Sequence, residues 1–420
     1  KIIMETLLTI NFIIAAIFFV CYTYQFAYIP VPWFKKPHEH ALEHRHRFAV
    51  LICARNEERV IAKLIESIHA QTYDRGSVRI FVMADNCTDN TARVARNAGA
   101  TVYRRSNPFL VGKGYALEEL LENIGEDYPR SYFDGYFVFD ADNVLDKNYI
   151  KEMNRTFCDG YDIITSYRNS KNYGSNWISA GYALWFLRES RYLNHARFLL
   201  GTSCAVSGTG FFFSRRILEK NGGWPFHLLT EDIEFTVCNI VNGEKVGFCP
   251  NAVLYDEQPT SFRQSCRQRL RWAKGYVQVF RKYGVDLLKG ALHGNFSCFD
   301  MAMAIMPAVV LTTICVLINS VMSVLTLASG GSVLPILLSV GQSVLNVYLT
   351  LFAVGSITTV TEWKNIAAPA WKKIFYAFTF PIFMLTYIPI SFAALFAKVE
   401  WKPIEHCVSV SCEELWRQGA

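Results

Sequence analysis

Charge is what long parts of this sequence lack. Residues 6–29, 301–361 and 374–397 contain no Asp, Glu, Lys or Arg. With 51% hydrophobic residues over 420 positions, that excludes an ordinary soluble chain and calls first for membrane segments. Paired cysteines are also missing: twelve Cys are scattered with no C-x-x-C spacing, which excludes a disulfide framework and a zinc ribbon and reads as buried thiols in a reducing compartment. No G-x-G-x-x-G follows the first apolar strand, and Gly112-Lys113-Gly114 lacks P-loop spacing, so neither a dinucleotide fold nor a P-loop is supported. Internal repeats are absent. A net charge of +6 without a basic, aromatic-interleaved arm gives no footprint for nucleic acid.

The uncharged runs are long enough to cross roughly 30 Å of hydrocarbon. One span is expected at 6–29, two in 301–361 around the break Ser329-Gly330-Gly331-Ser332, and a fourth, kinked by Pro381 and Pro389, at 374–397. The first run exceeds a signal-peptide core and no small-residue cleavage site follows it, so it reads as a retained span. Tyr22, Tyr24, Tyr28 and Trp33 form an interfacial belt, followed by Lys35, Lys36, Arg45 and Arg47. The positive-inside rule then puts the central region in the cytosol and both termini outside, with 362–373 as an interfacial connection. The interleaved His38, His40, His44 and His46 lack zinc-type spacing and read as a solvated juxtamembrane segment. Asn319, Gln342 and Asn346 inside the runs suit interhelical hydrogen bonds or the lining of a channel.

Between the spans, from Phe48 to about Asn295, short apolar β-type runs alternate with amphipathic helical ones, the pattern of an α/β domain with a mostly parallel sheet. Three strands end in polar clusters: Arg55-Asn-Glu57, Asp85-Asn-Cys-Thr-Asp-Asn90 and Asp140-Ala-Asp142. In open α/β sheets the ligand sits beyond the carboxyl ends of the strands, so these clusters should share one crevice.

Asp140 and Asp142 offer hard oxygen ligands to a divalent ion, although such a pair alone is more often a solvated turn. Asp85 and Thr230-Glu231-Asp232 add weight. The most specific signal is Gln268-Arg-Leu-Arg271-Trp272, a Q-x-x-R-W motif. On a helix its three marked residues fall on one face at i, i+3 and i+4, and the same stretch also suits an interfacial helix over 261–283.

This constellation resembles the processive, membrane-integrated synthases of glycosyltransferase family 2, such as cellulose, hyaluronan and chitin synthases, from the first span through Trp401-Lys-Pro-Ile-Glu-His406. The resemblance implies a Rossmann-like GT-A domain inserted between transmembrane helices. By position it implies that Arg55, Glu57 and Asp85 bind the uridine and that Lys113, Asp140, Gln268 and Arg271 contact the diphosphate. Asp142, with Asp140, would hold Mg²⁺ or Mn²⁺. Asp232, with Glu231 beside it, would be the catalytic base, and Ser207, Gly208, Thr209 and Trp272 would bind the acceptor. The His-x-Lys segment of cellulose synthases is absent, with Arg168-Asn-Ser-Lys-Asn172 in its place.

The expected organisation is a span in 1–33, a cytosolic catalytic domain in 34–260, interface helices in 261–299, spans in 300–398 and a tail in 399–420. The expected activity is inverting polymerisation of a UDP-sugar, best UDP-glucose, onto a growing polysaccharide that crosses the plasma membrane. Alternatives are a UDP-N-acetylglucosamine-using synthase or a transferase to a lipid phosphate. The latter generally lacks Q-x-x-R-W. A nucleotide-sensing transporter would want ionisable groups within the C-terminal spans, and none is there.

Overall fold

The computed structural model describes residues 2–36 and 43–419; His38 and His40 fall outside them. The first uncharged run is one helix, α1 (Ile2–Tyr28). The chain then enters the sheet at β1 (Phe48–Ala54), an unbroken apolar run, and returns through α2 (Ile61–His69) to β2 (Val78–Asp85). Next come α3 (Thr91–Asn97), β3 (Thr101–Arg105), α4 (Lys113–Asp127) and β4 (Gly135–Asp140). These four strands pair in parallel in the order β3-β2-β1-β4. β1, β2 and β4 are buried on both faces for most of their length, as expected for strands between crossover helices, whereas β3 at the edge is partly exposed.

The second half of the sheet departs from the parallel pattern. Strand β5 (Val144–Leu145), helix α5 (Tyr149–Cys158) and strands β6 (Ile163–Ser170), β7 (Phe211–Ser214) and β8 (Val246–Asp256) extend the order as β4-β7-β6-β8-β5. Here β4–β7, β6–β7 and β5–β8 are antiparallel and only β6–β8 is parallel. The sheet is therefore mixed. Between β6 and β7 a helical insertion intervenes: α6 (Trp177–Arg188), a π-helical turn (Glu189–Asn194) and α7 (His195–Leu200).

After β7 the chain forms α8 (Glu231–Val241) and, past β8, α9 (Phe262–Leu292) and α10 (Phe296–Ile305). Helix α9 runs nine residues beyond the expected end at Tyr283. Four apolar helices follow, α11 (Pro307–Ala328), α12 (Leu334–Thr361), α13 (Ala370–Leu385) and α14 (Tyr387–Phe396), and then a tail that ends in the short helix Cys412–Gly419. Among the described residues three helices are long and apolar enough to cross a membrane, at 9–34, 334–361 and 370–396. Pro381 lies inside α13, and the α13–α14 break follows at Thr386.

The interface helices are part of the main core. Val279 and Leu287 of α9 and Cys298, Met301 and Ile305 of α10 pack in one cluster with sheet residues Leu51, Phe81 and Val138. Asp300 on α10 is fully buried and accepts Arg197 Nε at 2.7 Å and Nη2 at 2.8 Å. The same carboxylate accepts the hydroxyls of Tyr24 at 2.7 Å and Tyr28 at 3.0 Å. One buried ion pair thus joins α1, α7 and α10.

Residues 362–373 are no free connection either: Glu362 is buried, accepting the Tyr167 hydroxyl and Asn365 Nδ2. Asn319 exchanges hydrogen bonds with Asn11 on α1 at 3.1 and 2.9 Å, an interhelical pair. Gln342 donates to Asn346 of its own helix at 2.9 Å.

Candidate active site

Beyond the carboxyl ends of β1, β2 and β4 lies a cavity of about 400 Å³. The loop after β1 turns at Asn56, whose φ of 61° is left-handed, a conformation that asparagine tolerates. Asn56 Oδ1 accepts the Thr88 N–H at 2.8 Å, tying this loop to the one after β2. The flanking Arg55 and Glu57 both line the cavity. Asp85 faces Arg105 across the β2–β3 register and accepts its Nη1 at 2.8 Å. Asn86 Nδ2 supplies a second hydrogen bond at 2.9 Å. Burial pushes the Asp85 carboxyl up, and Arg105 opposes that.

At the centre Lys113 Nζ bridges Asp140 Oδ1 at 2.5 Å and the Gly208 carbonyl at 2.7 Å. Asp142 Oδ2 accepts the Glu257 N–H at 2.7 Å. Burial alone would raise the Asp142 carboxyl, but His406, Lys171, that N–H and Arg168 together hold it below the usual carboxylate range. The tail crosses this end of the cavity. Its His406 Nδ1 lies 2.9 Å from Glu57 Oε1, and Trp401 lies under Arg55 at 5.4 Å. Burial works against the His406 charge, yet Asp142, Glu57 and Glu257 raise its pKa to about 10.

Glu231 and Asp232 open α8, where the helix N-terminus favours negative charge. Helix α9 approaches this loop so closely that a Cβ at Gly275 would lie 2.5 Å from Thr230 Oγ1. Only glycine permits that contact, and it places the Q-x-x-R-W face against the acid pair. Burial, and then Asp232, raise Glu231 to about 7 against the pull of Lys113 and Arg271; burial raises Asp232 as well.

Gln268, Arg271, Trp272 and, one turn on, Tyr276 all line the cavity. Gln268 Oε1 is buried with no hydrogen-bond partner, and Arg271 has no ion pair among the described residues. Trp272 meets Tyr182 and Phe186 edge-on, with centroids at 5.7 and 6.2 Å. The far wall is supplied by Ala304 and Ile305 of α10, Met384 of α13 and Tyr387 and Ser391 of α14. One cavity therefore runs from the strand ends to the apolar helices.

The expected Arg55, Glu57, Asp85, Lys113, Asp140, Asp142, Ser207, Gly208, Glu231, Asp232, Gln268, Arg271 and Trp272 are all in its wall. Thr209, expected at the acceptor, is not. With positive φ at Gly208 and Gly210 on either side, its side chain turns inward, where Oγ1 accepts the Asp140 N–H at 2.9 Å and contacts Asn143 Oδ1 at 2.5 Å. It braces Asp140 from behind.

Sequence reasoning missed Arg168 as a wall residue, as well as Glu189, Asp256, Glu257, Tyr276 and His406. Arg168 donates to Asp256 Oδ2 at 2.6 Å and to the Ser207 carbonyl at 2.8 Å. Asp256 ends a strand, the signal that marked Asp85, and Tyr276 continues the i, i+4 face of Trp272. Among the described residues no three His, Cys, Asp or Glu side chains form a metal cage.

The family "Glycosyltransferase like family 2" matches residues 45–275. A β-monoglucosyldiacylglycerol synthase of Synechocystis sp. is 25% identical over 240 residues, covering 56% of this chain and 48% of that protein. The probable glycosyltransferase YdaM of Bacillus subtilis is 26% identical over 265 residues, 58% of each chain. The chain thus spans about half the length of these curated relatives. Among solved structures, the mannosyltransferase PcManGT of Pyrobaculum calidifontis, in complex with GDP-Man and Mn²⁺, superposes with a TM-score of 0.57 at 16% identity. That match covers 93% of this chain and 99% of the other and shows a shared fold. With its crevice at the ends of parallel strands and more than half its length matched, the chain belongs to glycosyltransferase family 2.

Proposed function

We propose that this chain is a membrane-embedded hexosyltransferase that moves a sugar, best glucose from UDP-glucose, with inversion onto the end of a growing β-linked glycan. The observation that carries the reading is the single cavity, acidic and strand-built at one end, aromatic and helix-built at the other, with Asp232 between them. Asp232 takes the proton from the acceptor hydroxyl as it attacks. Its raised pKa brings it toward the working pH, where a general base is most effective. Arg55, Glu57 and Asp85 hold the nucleoside. Lys113 and Arg271 face the diphosphate and offset the negative charge that gathers on the leaving group. Gln268 gains a partner for its orphaned oxygen.

A divalent ion fits this end. Mg²⁺ is usually held by one or two carboxylates plus phosphate oxygens, so a three-residue cage is not required. Asp142, kept anionic, and Asp140 would hold the ion, which when bound neutralises the diphosphate. Trp272 offers its ring to the apolar face of the acceptor sugar. The catalytic domain faces the cytosol, the spans sit in the plasma membrane, and the product leaves between α10, α13 and α14.

The deciding experiment supplies the purified full chain in detergent with Mg²⁺ or Mn²⁺ and, separately, UDP-glucose or UDP-N-acetylglucosamine. UDP release and high-molecular-mass product degraded by β-glucanases are expected with UDP-glucose. Turnover of UDP-N-acetylglucosamine alone would replace glucose as the donor sugar. A second reading, transfer to diacylglycerol, is favoured by the names of the similar cyanobacterial proteins. A labelled lipid without polymer would establish it instead.

A further inference from the structure

We infer that Glu189 is a second acceptor-binding carboxylate, holding one hydroxyl of the acceptor while Asp232 deprotonates its neighbour, and that the acceptor is therefore a sugar rather than a monohydroxyl lipid. The inference rests on the reading of Asp232 as the base. Glu189 opens the π-helical turn between α6 and α7, and such turns recur at functional sites. Its side chain lines the acceptor end of the cavity. Oε1 accepts the Ser207 hydroxyl at 2.5 Å, whereas Oε2 has no hydrogen-bond partner among the described residues.

The three nearby guanidiniums are engaged elsewhere: Arg168 with Asp256, Arg197 with Asp300, and Arg188 with Gln25 at 3.0 Å. Glu189 is half-buried in the cavity wall, so its second oxygen is open to a hydroxyl that a ligand brings. Burial pushes the Glu189 carboxyl up, Ser207 and the guanidiniums only partly opposing this. A donor group brought by a ligand would complete its bonding.

Two further observations put that ligand within reach of the base. Ser207 leads directly into Gly208, where a Cβ would stand 3.9 Å from Asp232 Oδ2, so the same short turn separates the two acids. Tyr276, whose phenol is held well above its ordinary range by burial and then by the charges of Glu189 and Asp232, lines the same cavity as both. The aromatic rings of Trp185, Phe186 and Trp272 complete this end. Two carboxylates on either side of one turn suit a molecule with adjacent hydroxyls. A diacylglycerol has one hydroxyl and ester oxygens that cannot donate, and it would leave Oε2 of Glu189 without a donor.

The test uses the full chain in detergent, with the UDP-sugar that supports turnover, Mn²⁺, and either a β-glucan oligosaccharide or diacylglycerol as acceptor. Glu189→Gln is compared with Ser207→Ala, which removes the one protein partner of Glu189 without touching the carboxylate. Losing a charge-assisted hydrogen bond to the acceptor should raise the oligosaccharide KM about tenfold in Glu189→Gln. UDP affinity should stay within about twofold, the range that would follow from an undisturbed donor end, and Ser207→Ala should raise KM by less. Wild-type enzyme that extends the oligosaccharide while Glu189→Gln keeps its KM, or loses only kcat and to the same degree as Ser207→Ala, would overturn the inference alone, leaving Glu189 a brace for the loop. Wild-type enzyme that glycosylates diacylglycerol and no oligosaccharide would overturn the inference and the polymer reading together.

Discussion

The two ends of the cavity are built by different means. On the strand-built side, proposed to take the donor, the acids stand at or just past strand ends and are already paired: Asp85 with Arg105, Asp140 with Lys113, Glu57 with His406. On the helical side the polar groups are left short of partners, as with Gln268 Oε1 and with Arg271, which in the proposed reading meets the diphosphate from across the cavity. The contrast teaches that, under the proposed function, a ligand must exchange existing bonds on the strand-built side and completes missing ones on the helical side. Damage at one end should therefore be separable from damage at the other.

The strongest attack on this separation is Asp232→Asn, which keeps shape but cannot take a proton. Transfer should fall about 10²–10⁴-fold, with UDP binding by calorimetry nearly unchanged. Asp142→Ala should do the reverse. UDP affinity in Mg²⁺ should drop about tenfold or more, as expected when a hard-ion ligand is removed, and affinity in EDTA should not move. If both variants weakened UDP equally, the two ends would not be distinct.

Trp272→Ala sharpens the comparison on the acceptor side. The ratio of polymer formed to UDP-sugar hydrolysed should fall about tenfold, the order of one lost stacking contact. Equal losses in both would reduce this tryptophan to a membrane anchor.

The smallest effect concerns pH. Glu231 and Asp232 titrate as a pair with raised pKa values, Glu231 at about 7. Because the base works deprotonated, the rate should rise with pH through that region. Glu231→Gln removes one acid of this coupled pair, so the acidic limb should move to lower pH. A limb that stays in place would uncouple the two acids.

The strand-built end of the cavity was legible in the sequence because parallel strands write it in a simple form: an apolar run that stops at an acid. The Q-x-x-R-W face was legible because helical spacing alone puts Gln268, Arg271 and Trp272 together. The rest depended on geometry that local pattern does not carry. Thr209 was misplaced because the direction of its side chain is set by left-handed turns at Gly208 and Gly210. Glu189 follows an apolar helix, and only the π-helical turn makes it a wall residue. His406 reaches Glu57 across 349 positions of sequence. The antiparallel strands escaped notice because pairing direction leaves no periodic mark.

The buried carboxylate of Asp300 has a practical consequence for anyone cutting this protein into pieces. The stretch that matches the family, 45–275, invites expression as a water-soluble fragment. Such a fragment would lose Asp300 with α10 and the phenols of Tyr24 and Tyr28 with α1, leaving Arg197 deep inside without its counter-ion. Stranding one member of a buried pair costs about 3–5 kcal/mol, a large part of a domain's stability. It would also strip α10 from the core packing around Leu51 and Val138. The homology boundary and the folding boundary of this enzyme are different lines, and a shortened catalytic domain should be drawn along the second.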